Sequence, residues 1–274
     1  MFRTRLLSGI VLVALALLLI ITGGPVLLVS TAILSLIGMF EFYRALGFEK
    51  TPLAFSGYAV AILYFADLQF RFMPSDFMVM TLFLVLVLII YVLSYPKYDT
   101  AKAMGAFFGL FYVAVMLSYI YLTRQLPHGE YVVWLIFLAS WGSDTCAYCI
   151  GKLFGKHKMT PVLSPNKSVE GGIGGVAGAM LLTLIYLLVF QKTMHLHTTT
   201  IVLLTLSSGA GALISMVGDL AASAIKRNYG IKDYGKLIPG HGGVLDRFDS
   251  VIITAPVIFY FSSVILARLP GMGH

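Results

Sequence analysis

The run from Phe77 to Tyr95 reads FMVMTLFLVLVLIIYVLSY and decides the class of fold. It carries no charged side chain, and it is long enough to cross the hydrocarbon core of a bilayer as an α-helix. Eight further apolar runs of roughly this length lie at Leu6–Thr22, Pro25–Leu46, Leu53–Phe70, Met104–Leu122, Tyr131–Gly151, Gly174–Phe190, Ile201–Ile225 and Phe248–Leu266. We therefore predict an all-α, polytopic integral membrane protein with about nine transmembrane helices.

The composition of the 274-residue chain excludes a water-soluble globular protein. Hydrophobic residues make up 59% of the sequence and charged residues 11%, so polar side chains are too few to cover a soluble surface. The formal net charge of +7 is then explained by basic residues at the cytoplasmic ends of spans and by their attraction to anionic lipids. We expect a lipid bilayer, and no nucleic acid, among the partners.

The distribution of Lys and Arg predicts the orientation of the chain. If the N-terminus is cytoplasmic, the basic residues that fall on the outside are Arg71, Arg124, Lys192 and Arg268, out of 19 in total. This asymmetry is what the positive-inside rule expects, and a missed span would invert the later loops and remove it. We predict a cytoplasmic N-terminus.

Polar residues divide the chain into two regions. Residues 1–125 offer little chemistry, and we assign these transmembrane helices to membrane embedding and to dimer or lipid contacts. Residues 126–274 hold most of the intramembrane acids and the Gly-rich segments. We predict a catalytic transmembrane region there, with cytoplasmic loops at 152–173 and 226–247.

Glu41 and Asp144 are two of the acidic residues that lie within apolar segments, where an ionised carboxylate is costly unless it meets a cation, a donor or water. Glu41 stands three residues before Arg44, a spacing that favours a structural ion pair near the interface. Asp144 shares a helical face with Tyr148 and Lys152, which could donate to it. For Asp144, a hydrogen bond between packed helices and a place in a binding site both remain open.

The loop that follows combines small hydroxyl residues, a lysine and a cluster of glycines that leads into a helix. Ser164, Lys167 and Ser168 precede those glycines. Close backbone N–H groups, the positive end of a helix and a lysine are the elements of a phosphate site, although the order of residues is not that of a P-loop. Gly174 and Gly178 also form a Gly-x-x-x-Gly pair that favours close helix packing in lipid. Both interpretations are compatible.

Carboxylates are predicted to meet at the cytoplasmic ends of two neighbouring spans. Asp219, Ser223 and Lys226 fall at i, i+4 and i+7, hence on one helical face. Asp246 and Asp249 stand at i, i+3 at the start of the last span. Such acids repel one another unless a hard cation holds them. The basic residues around them are Lys226, Arg227, Lys232, Lys236 and Arg247. A metal ion with a basic rim is typical of phosphoryl or nucleotidyl transfer, and it predicts Mg²⁺.

The segment from Ser223 to Asp249 resembles the full signature of the phosphatidate cytidylyltransferases, also called CDP-diacylglycerol synthases. The matching residues are Ser223, Ile225, Lys226, Arg227, Lys232, Asp233, Gly235, Ile238, Pro239, His241, Gly242, Gly243, Val244, Asp246, Arg247, Phe248 and Asp249. The segments that resemble the family more loosely are Asp144-Thr145-x-Ala147-Tyr148 and Ser164-Pro165-x-Lys167-Ser168-x-Glu170-Gly171. The resemblance covers mainly Leu135 to the C-terminus. It implies conversion of CTP and phosphatidate to CDP-diacylglycerol and pyrophosphate in phospholipid biosynthesis.

The resemblance and the residue pattern together assign roles. Asp219 and Asp246 are the first choices as metal ligands, and Asp249 and Asp144 are further ligands or supporting groups. The residues expected to act in catalysis are Asp219, Asp246, Lys226, Arg247 and His241. Those expected to bind substrate are Ser164, Lys167, Ser168, Ser223, Arg227, Lys232, Tyr148, Gly242 and Gly243. His241 could contact phosphate, transfer a proton or shape its loop through a hydrogen bond.

The resemblance also implies cofactors, assembly and location. Members of the family are similar in being Mg²⁺-dependent homodimers, and a second, monovalent cation such as K⁺ is compatible with them. We expect a multi-pass protein of the inner or plasma membrane, with its active site facing the cytoplasm.

Two other kinds of function remain open from the residues alone. An ion-coupled transporter would bind its coupling ion at Asp144 and Asp219, but it leaves the basic cluster and the Gly-rich loops without a role. Another CTP-dependent lipid enzyme, such as an ether-lipid cytidylyltransferase or a polyprenol kinase, would present the same apolar walls.

Overall fold

The structure, a computed structural model, describes residues 2–240 and 242–267. Within these residues the chain is almost entirely helical, with one two-stranded sheet. The helices are α1 (Phe2–Thr22), α2 (Gly24–Ala45), α3 (Pro52–Phe70), α4 (Asp76–Leu93), α5 (Thr100–Arg124), α6 (Gly129–Phe154), α7 (Val169–Phe190), α8 (Thr198–Asn228) and α9 (Leu245–Leu266). The antiparallel strands β1 (Lys158–Thr160) and β2 (Ser164–Ser168) lie between α6 and α7. The prediction of an all-α, polytopic membrane protein is confirmed.

Every apolar run recognised in the sequence coincides with a helix of the described chain. Among the described residues, seven helices, all except α1 and α4, are long and apolar enough to span a membrane. The described parts of α1 and α4 contribute shorter apolar stretches, Val11–Thr22 and Phe77–Leu93. The count of about nine spans and the cytoplasmic N-terminus therefore stay predictions.

Polar residues just before the helices fix where several of them begin. Thr51 accepts a hydrogen bond from the N–H of Ala54 before α3, and Asp99 accepts one of 2.8 Å from the N–H of Lys102 before α5. Such N-cap residues satisfy backbone donors that the first helical turn leaves unpaired. Ser168 caps α7 in the same way, so this helix begins at Val169, before the predicted start at Gly174.

Two helices contain a π-helical segment. It covers Leu110–Val115 within α5 and Leu138–Gly142 within α6. A π-helical turn inserts an extra residue into the helical repeat, which rotates the downstream faces relative to the upstream ones. In α6 the regular α-helix resumes at Ser143, so the inserted turn sets the direction of the face that carries Asp144.

The described chain forms two compact units. The first unit comprises the chain up to Tyr121 together with Asn228–Arg247. The second unit comprises Leu122–Arg227 and the chain from Phe248 onward. The first unit is thus discontinuous in sequence, because it includes the loop between α8 and α9. The predicted division at about residue 125 into a membrane-embedding region and a catalytic region stays a prediction, because the two compact units do not show which residues act in catalysis.

The core of the first unit is built around Tyr43 of α2. Its ring is fully buried, and its hydroxyl donates a 2.7 Å hydrogen bond to the carbonyl of Ala106 in α5. A Cβ added at Gly57 or at Gly109 would collide with this tyrosine. Glycine at these two positions therefore lets α3 and α5 approach α2 closely.

The second unit depends on a row of glycines along α7 that packs against α6. A Cβ at Gly175 would lie 2.9 Å from the carbonyl oxygen of Ser143, and a Cβ at Gly178 would lie 2.5 Å from Cys146. The structure thus gives the Gly174 and Gly178 pair the packing role that its spacing predicts.

Candidate active site

Three acidic side chains of the second unit come from three different helices. Asp144 lies in α6, Asp219 in α8 and Asp249 near the start of α9. Asp249 is buried, with 8% of its surface exposed, and it interacts electrostatically with the other two acids. Ser250 Oγ donates a 3.1 Å hydrogen bond to Oδ2 of Asp144, which ties α9 to α6. We call Asp144, Asp219 and Asp249 the acidic cluster.

Two lysines balance part of the charge of the acidic cluster. Nζ of Lys167, in β2, lies 2.6 Å from Oδ2 of Asp219, and both side chains are partly exposed. Lys226, in α8, is buried and interacts electrostatically with Asp249. The cluster thus combines carboxylate oxygens, which attract a cation, with ammonium groups, which attract phosphate.

The oxygen donors of the acidic cluster fit a hard divalent cation. Mg²⁺ takes oxygen ligands and is usually held by one or two carboxylates together with phosphate oxygens of the substrate. Asp219 and Asp249, on neighbouring helices of one unit and in electrostatic contact, supply carboxylates of this kind. Within residues 2–240 and 242–267, no three His, Cys, Asp or Glu side chains stand close enough to hold an ion by themselves.

The hairpin of β1 and β2 carries three of the predicted phosphate-binding residues. Ser164 and Ser168 lie at the two ends of β2, and Lys167 lies between them beside the acidic cluster. Ser168 Oγ accepts a 3.1 Å hydrogen bond from the N–H of Gly171, so this hydroxyl serves as the helix cap. The structure therefore brings Lys167 to the acidic cluster. The roles of the two serines toward a substrate stay predictions.

Three further predicted residues of the second unit lie on α6 and α8. Tyr148, in α6, has 69% of its surface exposed. Ser223 is half-buried one turn after Asp219, and Arg227 is exposed near the end of α8. Their proposed contacts with substrate stay predictions.

In the first unit, Asp246 organises the loop between α8 and α9. Its Oδ2 accepts hydrogen bonds from the N–H groups of Tyr234 at 2.8 Å, Gly243 at 2.9 Å and Gly235 at 3.4 Å. A carboxylate with several backbone donors is held in one orientation and holds the backbone in turn. Asp246 thus closes the base of the loop, while its role as a metal ligand stays a prediction.

Glu41 and Arg44 of α2 bind the same loop. Glu41 accepts hydrogen bonds from the backbone N–H groups of Val244 at 3.1 Å and Leu245 at 2.8 Å. Nη2 of Arg44 donates a 2.6 Å hydrogen bond to the carbonyl oxygen of Tyr234. The spacing predicted an ion pair between Glu41 and Arg44, which stays a prediction. The structure instead shows each side chain bound to backbone groups about two hundred residues along the chain.

The remaining predicted residues lie on this loop or directly after it. Lys232 is exposed, and Arg247 is exposed in the first turn of α9. Gly242 has a φ of 85°, a left-handed conformation that favours glycine, and Gly243 is buried beside it. His241 lies outside the described residues.

Sequence reasoning missed three residues of this region. Ser250 received no role, although a hydroxyl directly after Asp249 at the start of a span is a signal that could have found it. Glu41 and Arg44 were given only local roles. A carboxylate inside the apolar run of α2 was the one sign of a distant partner.

Comparison with known proteins covers both units. The sequence profile of the cytidylyltransferase family matches residues 3–265. The phosphatidate cytidylyltransferase of Staphylococcus haemolyticus (strain JCSC1435) is 30% identical over 259 residues, which cover 93% of this chain and 97% of the relative. The phosphatidate cytidylyltransferase of Staphylococcus aureus (strain COL) is 33% identical over 261 residues, with the same shares of the two chains.

These matches extend over the first five helices, whereas the resemblance recognised in the sequence covers mainly Leu135 to the C-terminus. Helix α2, which holds the loop between α8 and α9, is thus part of the shared sequence, along with the helices that carry the acidic cluster. The prediction from the motifs is confirmed: the chain belongs to the cytidylyltransferase family.

Proposed function

We propose that this protein transfers a cytidylyl group from CTP to phosphatidate, giving CDP-diacylglycerol and pyrophosphate for phospholipid biosynthesis. The observation that carries this function is the acidic cluster with Lys167 and Lys226 beside it, in a chain whose relatives are named phosphatidate cytidylyltransferases. Carboxylate oxygens and ammonium groups at one place suit a reaction between two phosphate-bearing substrates. A transporter would need the acids but not the lysines.

The reaction needs positioning and charge compensation rather than a nucleophile from the protein. An oxygen of the phosphatidate phosphate forms a bond to the α-phosphorus of CTP. The bond from that phosphorus to the oxygen bridging to the β-phosphate breaks, and pyrophosphate leaves with the electron pair. Lys167 and Lys226 supply point charges to phosphate oxygens, so that two anionic substrates can approach.

The acidic cluster is where we place the metal ion. Asp219 and Asp249 would hold Mg²⁺, with Asp144 as a supporting group and a monovalent cation such as K⁺ as a second ion. Asp246 is a further candidate ligand by its place in the family signature. When bound, Mg²⁺ neutralises the charge of the transferred phosphate. Lys167 now neutralises Asp219 through their 2.6 Å ion pair, and an incoming phosphate offers this lysine an alternative anionic partner.

The proposed location follows from the solubility of the two substrates. CTP is soluble and phosphatidate lies in the bilayer, so the site belongs at a membrane surface. The excess of basic residues in the segments assigned to the cytoplasm supports an active site that faces the cytoplasm of the inner or plasma membrane. By the family resemblance, the protein acts as a homodimer, and nucleic acid is not a partner.

Positionally labelled CTP tests this function. The protein is purified in detergent and incubated with Mg²⁺, phosphatidate and CTP labelled on either the α- or the γ-phosphate. We expect the α-label in CDP-diacylglycerol, the γ-label in pyrophosphate, loss of both products with EDTA, and recovery on addition of Mg²⁺. The γ-label in a polyprenol would identify a kinase, and preference for an ether-linked acceptor would identify the archaeal type of lipid. Either result, or the absence of any labelled lipid, would overturn the proposal.

A further inference from the structure

The carboxylate of Glu41 is buried in the first unit, with 3% of the residue exposed. One of its oxygens accepts the N–H of Val244 and the other accepts the N–H of Leu245. These N–H groups lie at the start of α9, where the backbone N–H groups of the first turn have no acceptor within the helix. Both oxygens of one acid in α2 are therefore engaged by the end of the loop between α8 and α9.

The same carboxylate also explains two glycines of the loop. A Cβ added at Gly235 would collide with Oε1 of Glu41, and one added at Gly243 would collide with both of its oxygens. The backbone of the loop thus passes Glu41 twice, at Gly235 and at Gly243, at a distance that favours glycine. Gly235 lies near the middle of the loop and Gly243 near its end, and Glu41 lies beside both.

Arg44 binds the same loop at Tyr234. Its Nη2 donates to the carbonyl oxygen of Tyr234 at 2.6 Å, one helical turn after Glu41 on α2. The side chain of Tyr234 is buried against Phe42, with ring centroids 6.5 Å apart. The loop is therefore fixed to α2 at Tyr234 and again at its C-terminal end, while Lys232 and Lys236 are exposed.

We infer that Glu41 and Arg44 are positioning residues that hold the loop between α8 and α9 in a conformation ready to bind the phosphates of a nucleotide. This inference rests on the proposed function. Neither residue is expected to touch the substrate. Each acts on a loop that carries exposed lysines and a glycine turn, and a loop fixed in advance loses less conformational freedom when a phosphate binds. Lys232 and Lys236 lie in a segment that the distribution of basic residues assigns to the cytoplasmic side, where the soluble nucleotide arrives.

The substitution Glu41→Gln tests the inference with a small change of shape. A glutamine presents one oxygen and one NH₂ group, so one of the two backbone N–H groups would face a donor. A hydrogen bond to a charged group corresponds to about tenfold or more in an equilibrium constant. We expect the KM for CTP to rise at least about tenfold, while the KM for phosphatidate stays within about twofold.

Glu49→Gln is the matched control, because it makes the same chemical change in the turn after α2, outside these contacts. It should leave both KM values within about twofold of those of the original protein. If Glu41→Gln cannot be purified, Arg44→Lys provides the test, since it keeps the charge but changes the geometry of the donor. Unchanged KM values in these variants, or equal rises for both substrates, would overturn the inference.

Hydrogen exchange separates the inference from the proposed function. The amides of Val244 and Leu245 are protected by Glu41, so Glu41→Gln should increase their exchange at least about tenfold, with no change in α7. This measurement needs no substrate. If the protein makes no CDP-lipid but exchange increases as expected, the proposed function fails and the anchoring contact stands. Unchanged exchange would overturn the anchoring itself.

Discussion

The ion pair between Lys167 and Asp219 gives the sharpest quantitative prediction. It joins β2 to α8 within the second unit, with 2.6 Å between Nζ and Oδ2. Lys167→Met and Asp219→Asn each remove one partner, and the double variant removes both. Each single variant leaves one charged side chain without its partner. The losses of stability of the two single variants should therefore add up to more than the loss in the double variant.

The size of this coupling follows from the distance and the exposure. At 2.6 Å and an effective dielectric constant of about 20, the attraction is ~6 kcal/mol before desolvation. The two side chains are 23% and 29% exposed, so desolvation and the entropy of fixing the lysine offset most of it. Exposed pairs contribute about 0–1 kcal/mol, and breaking buried ones costs about 3–5 kcal/mol. We expect a coupling free energy of about 1–3 kcal/mol.

Thermal unfolding in detergent measures the cycle, since about 1 kcal/mol shifts Tm by about 2–4 °C in a chain of this size. The matched control is the pair of Lys102 and Asp99, which lies at 3.7 Å and is more exposed. Its cycle, Lys102→Met with Asp99→Asn, should give less than about 0.5 kcal/mol, because Asn also serves as an N-cap. Equal couplings in the two cycles would refute the assignment of a strong pair at Lys167.

Three further substitutions test the site and its supports. Ser250→Ala removes the hydrogen bond to Asp144, and we expect kcat/KM for CTP to fall about tenfold and Tm to fall by about 2–4 °C; unaltered kinetics would remove Ser250 from the site. Ser168→Ala removes the cap of α7 and should cost about 1 kcal/mol, seen as a Tm lower by about 2–4 °C, whereas an unchanged Tm would show that the cap contributes nothing. Asp246→Asn should abolish Mg²⁺-dependent release of pyrophosphate while the protein still inserts and purifies, and near-normal activity would exclude Asp246 from the metal site.

The helices could be predicted from sequence because the signal is local. A run such as Phe77–Tyr95 can be recognised as a membrane-spanning helix because it is long enough to cross the bilayer and carries no charge. No knowledge of its neighbours in the fold is needed. The start of α7 was displaced because a single hydroxyl, Ser168, decides it. The hairpin at 158–168 escaped notice because its strands are short and one contains Pro165, a residue that argues against a strand.

The candidate site was predicted in part, for a related reason. Asp219, Ser223 and Lys226 share one face of one helix, so their proximity follows from helical spacing. The ion pair of Lys167 with Asp219 and the hydrogen bond of Ser250 to Asp144 join separate elements, and their geometry is set by tertiary packing. The bonds from Glu41 to Val244 and Leu245 cross about two hundred residues, a distance over which a single sequence carries no pairing signal.

The contact between Glu41 and the start of α9 also fixes an order of events during biosynthesis. Its nearer partner in the chain, Val244, is made 203 residues after Glu41. At a rate of synthesis of about 5–20 residues per second, the N–H group of Val244 is formed about 10–40 s after Glu41. Until then the carboxylate of Glu41 has to be solvated by water or lipid headgroups, because burying an acid in the membrane without partners costs free energy. The first unit therefore cannot complete its folding early in synthesis. A chain that ends after α8 would lack the two N–H groups that bind the carboxylate of Glu41.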